Sequence, residues 1–146
     1  MTSRWPLFDV RITCGEVELR LPTDDDLFAL LEYLEEGIHP PGESPFLREW
    51  SELPLPERSH SFLQHHWGLR SRWKPDAWEA AFVVRHAGMI VGMQGLFASN
   101  FGATGLVGTG SWLGRRFQRQ GIGTQMRRAV LAFAFDHLGA EYASSG

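Results

Sequence analysis

The chain has 146 residues, 43% hydrophobic and 21% charged, enough for one domain (1–146) with its own core. Seventeen acidic against fourteen basic residues give a net charge of −3, which argues against a general nucleic-acid binder. The single Cys14 excludes an internal disulfide, no apolar run approaches the roughly 20 residues that span a bilayer, and no signal-peptide stretch opens the chain, so a cytoplasmic protein without membrane contact is expected.

Phe8, Val10 and Ile12 alternate and predict a short extended segment. Trp5-Pro6-Leu7-Phe8 before it either docks on the domain or forms a mobile tail. Glu16 to Leu21 alternates polar and apolar residues and is expected as the first strand. Pro22-Thr23 ends it, and Thr23 or Asp24 caps a helix whose apolar face is Leu27, Leu30, Leu31 and Leu34, with Gly37 as its stop. Asp24-Asp25-Asp26 lies at the positive end of that helix, so the triplet points to capping and not to a metal.

Residues 38–56 are loop-like and rich in proline. From Pro56 to Arg72 a second helix is predicted, with Phe62, His66, Leu69 and Trp73 near one face. His60 stands five and six residues before His65 and His66, whereas two ligands on one helical face need a spacing of three or four, so no metal site is expected. Trp78–Arg85 and Met89–Phe97 read as strands joined by a His86-Ala87-Gly88 hairpin turn. Ser99–Gly105 reads as a loop, Leu106–Leu113 as the fourth strand, and Glu141–Ser145 as the start of a fifth.

The most informative stretch runs from the end of the fourth strand: Ser111-Trp112-Leu113, then Gly114-Arg115-Arg116-Phe117, then Gln118-Arg119-Gln120-Gly121-Ile122-Gly123-Thr124. It opens a helix expected to reach about Leu138, with Ile122, Met126, Ala129, Val130, Phe133 and Ala134 on one face. Leu131, Phe135 and Leu138 form a second stripe, and Gly139 is a plausible stop. Glycines before a helix start, together with its unpaired N–H groups and positive dipole end, make a phosphate cradle. A dinucleotide fingerprint fails, because Gly121-Ile122-Gly123 is followed by Thr124, Gln125 and Met126, and no Lys-Ser or Lys-Thr pair makes a P-loop.

Gln118-Arg119-Gln120-Gly121-Ile122-Gly123 resembles the Q/R-x-x-G-x-G/A motif of the GNAT N-acetyltransferases, and the Trp112-Leu113-Gly114 lead-in resembles the RimJ/RimL-like branch. The resemblance implies an α/β GNAT (acyl-CoA N-acyltransferase) fold, a mixed and mostly antiparallel sheet with helices on both faces. It implies acetyl-CoA as co-substrate and a primary amine of a peptide or small molecule as acceptor. The backbone of Trp112, Leu113 and Gly114 would align the pantetheine arm. Gln118, Arg119, Gln120, Gly121, Ile122, Gly123 and Thr124 would surround the pyrophosphate. Arg115, Arg116 and Arg119 either add charge or are solvated. Phe46, Trp50 and Trp67 are candidates for an acceptor pocket or for core packing.

Two departures from the family pattern stand out. The last helix and strands of the family, which often carry an Asn or Ser and a proton-donating Tyr, have no counterpart before Gly146, so a domain incomplete at its C-terminus is expected. The Glu that many members carry on the fourth strand is replaced by Gly108-Thr109-Gly110-Ser111. Water, a carboxylate from elsewhere, or no activity at all are the alternatives, and no catalytic residue is assigned. A non-catalytic acyl-CoA-binding or assembly module is the other function class. The incomplete edge, with Leu131, Phe135 and Leu138 uncovered, would favour a homodimer.

Overall fold

The computed structural model describes residues 4–36 and 57–145. One six-stranded sheet follows the order of the chain: β1 (Ile12–Cys14), β2 (Val17–Arg20), β3 (Ala77–His86), β4 (Met89–Ser99), β5 (Leu106–Leu113) and β6 (Tyr142–Ser145). Neighbours are antiparallel until β5 and β6, which run parallel. A parallel pair needs a crossover, and α4 (Ile122–Asp136) supplies it. The other main helices are α1 (Asp24–Glu36) and α2 (Glu57–Ser71), while α3 (Phe101–Thr104) is a single turn between β4 and β5. The mixed, mostly antiparallel sheet with helices on both faces agrees with the sequence reading.

Alternation along the strands divides the apolar residues between two cores. Ala80, Phe82 and Val84 of β3, Leu96 and Ala98 of β4 and Val107 of β5 meet Ile122, Met126, Ala129, Val130 and Ala134 of α4. On the opposite face Ala81, Val83 and Met93 meet Leu27, Leu30, Tyr33 and Leu34 of α1 and Phe62 of α2. Each fully buried Leu, Val or Phe contributes about 1.5–3 kcal/mol, so α4 and the α1–α2 pair are clamped to the sheet independently. The β3–β4 turn is Ala87-Gly88, both at positive φ (51° and 83°), which suits the twist of a two-residue hairpin. At Gly92 β4 and β5 approach so closely that a Cβ would fall 2.1 Å from the Trp112 carbonyl oxygen.

Several expectations need correction. Pro6–Asp9 form a 3-10 turn, closed by Phe8 N–H to Trp5 O at 2.9 Å, where an extended segment was predicted. β1 precedes the Glu16–Leu21 strand and pairs with it, so the latter is the second strand. Ser99–Gly105 contains α3, ended by Gly105 at φ 63°. In the second stripe of α4, Leu131 and Leu138 pack partly buried against the α4-side core, and Phe135 is 41% exposed. Leu131 and Leu138 are thus half-buried, and of the three Phe135 alone is exposed. Gly37, Phe46 and Trp50 lie outside the described residues.

Helix α1 starts on a reciprocal cap. Asp26 N–H donates to Thr23 Oγ1 at 3.1 Å, and Thr23 N–H donates to Asp26 Oδ2 at 3.0 Å. The second carboxylate oxygen of Asp26 receives Arg85 Nη2 of β3 at 2.7 Å, so one side chain starts the helix and ties it to the sheet. Thr23→Ala should lower stability by about 1 kcal/mol, and Asp26→Ala by about 2–3 kcal/mol because it also strands a partly buried guanidinium. Urea melts measure both; equal losses would show that the Arg85 pair adds nothing.

His66 of α2 packs edge-on to Phe62 at 4.5 Å, and its Nδ1 is buried with no hydrogen-bond partner among the described residues. Burial first, then neighbouring His65 and Arg70, lower its pKa from 6.5 to about 3. Between those values the unfolded chain takes up a proton that the folded chain refuses. Stability should therefore fall as pH drops through that window, by up to about 1.4 kcal/mol per pH unit from this group. Chemical melts at pH 7, 5.5 and 4.5 should show a shallower fall for His66→Leu than for the parent chain. An identical fall in both would mean that His66 protonates freely in the fold.

Candidate functional site

The site forms where β5 leaves its neighbour. β5 and β6 pair only from Leu106↔Tyr142 to Thr109↔Ser145. From Gly110 to Leu113 the β6-side edge of β5 has no strand partner among the described residues. The other edge stays paired to β4 as far as Gly92↔Leu113. Gly114 N–H donates to Val91 O at 2.8 Å, which fixes the phase of the ladder. Alternate residues of an antiparallel strand point both peptide groups the same way. Gly110 and Trp112 thus face β4, whereas Ser111 and Leu113 point their peptide groups into the open gap. Gln94, 1% exposed, stitches the closed side: its Nε2 donates to Gly95 O at 3.1 Å and Gly110 O at 3.2 Å.

The loop that follows is held by its own side chains. Arg115–Phe117 make a 3-10 turn, with Phe117 N–H to Gly114 O at 2.9 Å. Gln118 Nε2 reaches back to Leu113 O at 2.9 Å, and Gln120 Nε2 to Arg116 O at 2.8 Å. Arg119 and Gly121 take positive φ, 62° and 81°, and turn the chain into α4. The left-handed conformation is costly for any residue with a Cβ, which explains Gly121 directly.

The first internal bond of α4 runs from Gln125 N–H to Gly121 O at 3.2 Å. The N–H groups of Arg119 through Thr124 have no protein acceptor among the described residues. They sit at the positive end of a 15-residue helix. A Cβ on Gly121 would meet nothing within 4 Å, so the space before these donors is open. Ile122 contributes only its backbone here, since its side chain is 2% exposed in the core. The chemistry of the patch suits a phosphate or pyrophosphate.

The sequence-predicted residues divide into distinct roles. Trp112 lies on the α1–α2 side, edge-on to Phe62 at 6.3 Å, while Leu113 packs on the α4 side. Gly114 spends its N–H on Val91, and a Cβ there would press on Tyr33 at 3.1 Å and Phe117 at 3.2 Å. Arg116 lies over the rings of Tyr33 and Phe117, 5.2 and 5.5 Å from their centroids. Arg115 and Arg119 are exposed. Trp67 is 40% exposed and donates from Nε1 to Asp24 Oδ1 at 3.0 Å, away from the cradle. The outward peptide groups of Ser111 were not singled out from sequence; only the pairing register shows them.

A family model described as "Acetyltransferase (GNAT) domain" matches residues 16–145. The fold is similar to that of Mycobacterium smegmatis RimJ in complex with CoA-disulfide, with TM-score 0.72 and 20% identity over 96% of this chain and 67% of that one. It is also similar to RimL, a ribosomal L7/L12 alpha-N-protein acetyltransferase in complex with coenzyme A, with TM-score 0.70 and 16% identity over 90% of this chain and 70% of that one.

Proposed function

This chain belongs to the GNAT acetyltransferase family, and we propose on that premise that it transfers the acetyl group of acetyl-CoA to a primary amine of a peptide or small molecule. One observation carries the reading: among the described residues, N–H groups without acceptors at the start of α4 adjoin a strand edge that is itself unpaired. A pyrophosphate needs several converging donors, and Arg119 to Thr124 offer them. A pantetheine arm carries two amides, and the outward peptide groups of Ser111 and the N–H of Leu113, whose carbonyl accepts from Gln118, can bond to it as another strand would. The pair of sites would align a thioester, whose acyl carbon is the electrophile, along β5. RimJ and RimL, whose fold is similar, were solved with CoA or its disulfide, which supports the same ligand class here.

A non-catalytic acyl-CoA-binding module is the second reading. Its support is the absence of any carboxylate or imidazole on β5, where Gly108 and Gly110 stand. Release of CoA thiol in the presence of an amine panel separates the two, because both bind and only an enzyme turns over.

Gly121→Val tests the cradle. The substitution costs about 1–2 kcal/mol through its left-handed φ, so each protein is compared with its own ligand-free midpoint. Saturating acetyl-CoA should raise the melting temperature of the parent chain by several degrees and leave that of Gly121→Val nearly unmoved. An equal rise in both would place the ligand elsewhere.

A further inference from the structure

The sheet face beneath α1 and α2 carries a strip almost without side chains. Ala81 of β3 pairs with Gly95 of β4, and Gly95 pairs with Gly110 of β5. A Cβ at Gly110 would meet nothing within 4 Å. One wall is Phe97, 40% exposed, whose ring lies over Gly108. The strip borders Trp112, two residues beyond Gly110 on the same face, where the chain enters the cradle.

At its far end stands Glu79, two residues before Ala81 on the same face of β3 and paired with Phe97. It is the one carboxylate that β3, β4 and β5 carry between them. Its side chain is 38% exposed, and Oε2 lies 3.8 Å from His65 Nε2 of α2. It also lines a small cavity with His66, Arg70 and Trp73. Among the described residues, the charged and titratable groups around it are His65, His66 and Arg70, all from α2. Arg70 is engaged elsewhere, donating to Pro22 O at 2.8 Å and lying 3.7 Å from Asp24. Trp5 and Leu7 of the N-terminal turn, and Phe97 of β4, bring no charge.

We propose that Glu79, backed by His65, accepts the proton of the acceptor ammonium over this strip, an assignment that rests on the acetyl-transfer reading above. Glu79 is two strands across and two residues along from Gly110, roughly 12 Å between backbones at ordinary sheet spacings. A glutamate side chain and one or two waters span such a distance beside Phe97, above the side-chain-free backbone of Gly95 and Gly110. The ammonium gives one proton to the Glu79 carboxylate through this water. The neutral nitrogen then forms a bond to the thioester carbonyl carbon, and the carbon–sulfur bond breaks. A second proton leaves the nitrogen and ends on the sulfur, so the products are an amide and a free thiol, and Glu79 returns its proton to solvent.

The test follows thiol release from acetyl-CoA against a panel of peptides differing in their first residue, together with spermidine and tyramine. Glu79→Gln should lower kcat about 10²-fold at pH 7 and leave the KM for acetyl-CoA unchanged. Its rate should climb tenfold per pH unit up to the ionisation of the amine, where the parent rate has already levelled. A hydrazide acceptor, neutral at pH 7, should shrink the deficit, which a merely structural loss would not allow. His65→Asn should give a smaller loss with the same profile, and a thermal melt checks that each variant is folded. Turnover that survives Glu79→Gln with the parent pH profile overturns this assignment alone. No turnover of any acceptor by the parent chain overturns the functional reading and this assignment with it.

Discussion

The unpaired start of α4 is the constraint on which the rest of the structure depends. A helix cannot satisfy its own first N–H groups. In most helices a capping side chain or water answers them; in α4 no side chain does. Arg119 and Gly121 at positive φ instead turn the chain so that six consecutive N–H groups, from Arg119 to Thr124, meet no acceptor among the described residues. Such a turn is strained unless its surroundings hold it, and the Gln118 and Gln120 side chains do so by bonding back to Leu113 O and Arg116 O.

Holding the cradle rigid falls to the two cores. α4 is fixed on one sheet face by Ile122, Met126, Val130 and Ala134, and β5 is pinned to β4 by the close approach at Gly92 and by the amide of Gln94. On the other face Tyr33 donates to Ile90 O at 2.6 Å and carries Phe117 and Arg116 on its ring, so α1 braces the loop from behind. The Asp26–Arg85 contact then fixes α1 to β3. Open donors, an open strand edge and rigid walls are together what an extended anionic ligand needs, since little ordering is left to be done on binding.

Much of this was legible in the sequence because it rests on local pattern. The short Gly-containing turn between two apolar runs located β3 and β4, the run leading into the cradle located β5, and the 3.6-residue spacing located the buried face of α4. The cradle was visible for the same reason: it is a contiguous stretch whose glycines and helix start lie side by side. What stayed hidden depends on pairs distant along the chain. The outward phase of Ser111 follows from a bond between Gly114 and Val91, and the strip from Ala81 to Gly110 appears only when three strands are in register. The place of Trp67 stayed hidden because its bond to Asp24 joins α2 to the start of α1, 43 residues apart in the chain. The N-terminal turn was missed because Pro6 overrides the alternation of Phe8, Val10 and Ile12.

Backbone amide shifts on addition of acetyl-CoA test the central claim most directly. Binding at the cradle predicts that the largest shifts in a two-dimensional NMR titration fall on Gln120 to Thr124 and on Ser111 and Leu113, with far-removed amides such as those of β1 unmoved. Saturable binding that shifts residues on the outer faces of α1 or α2 and leaves Gln120 to Thr124 untouched would contradict it.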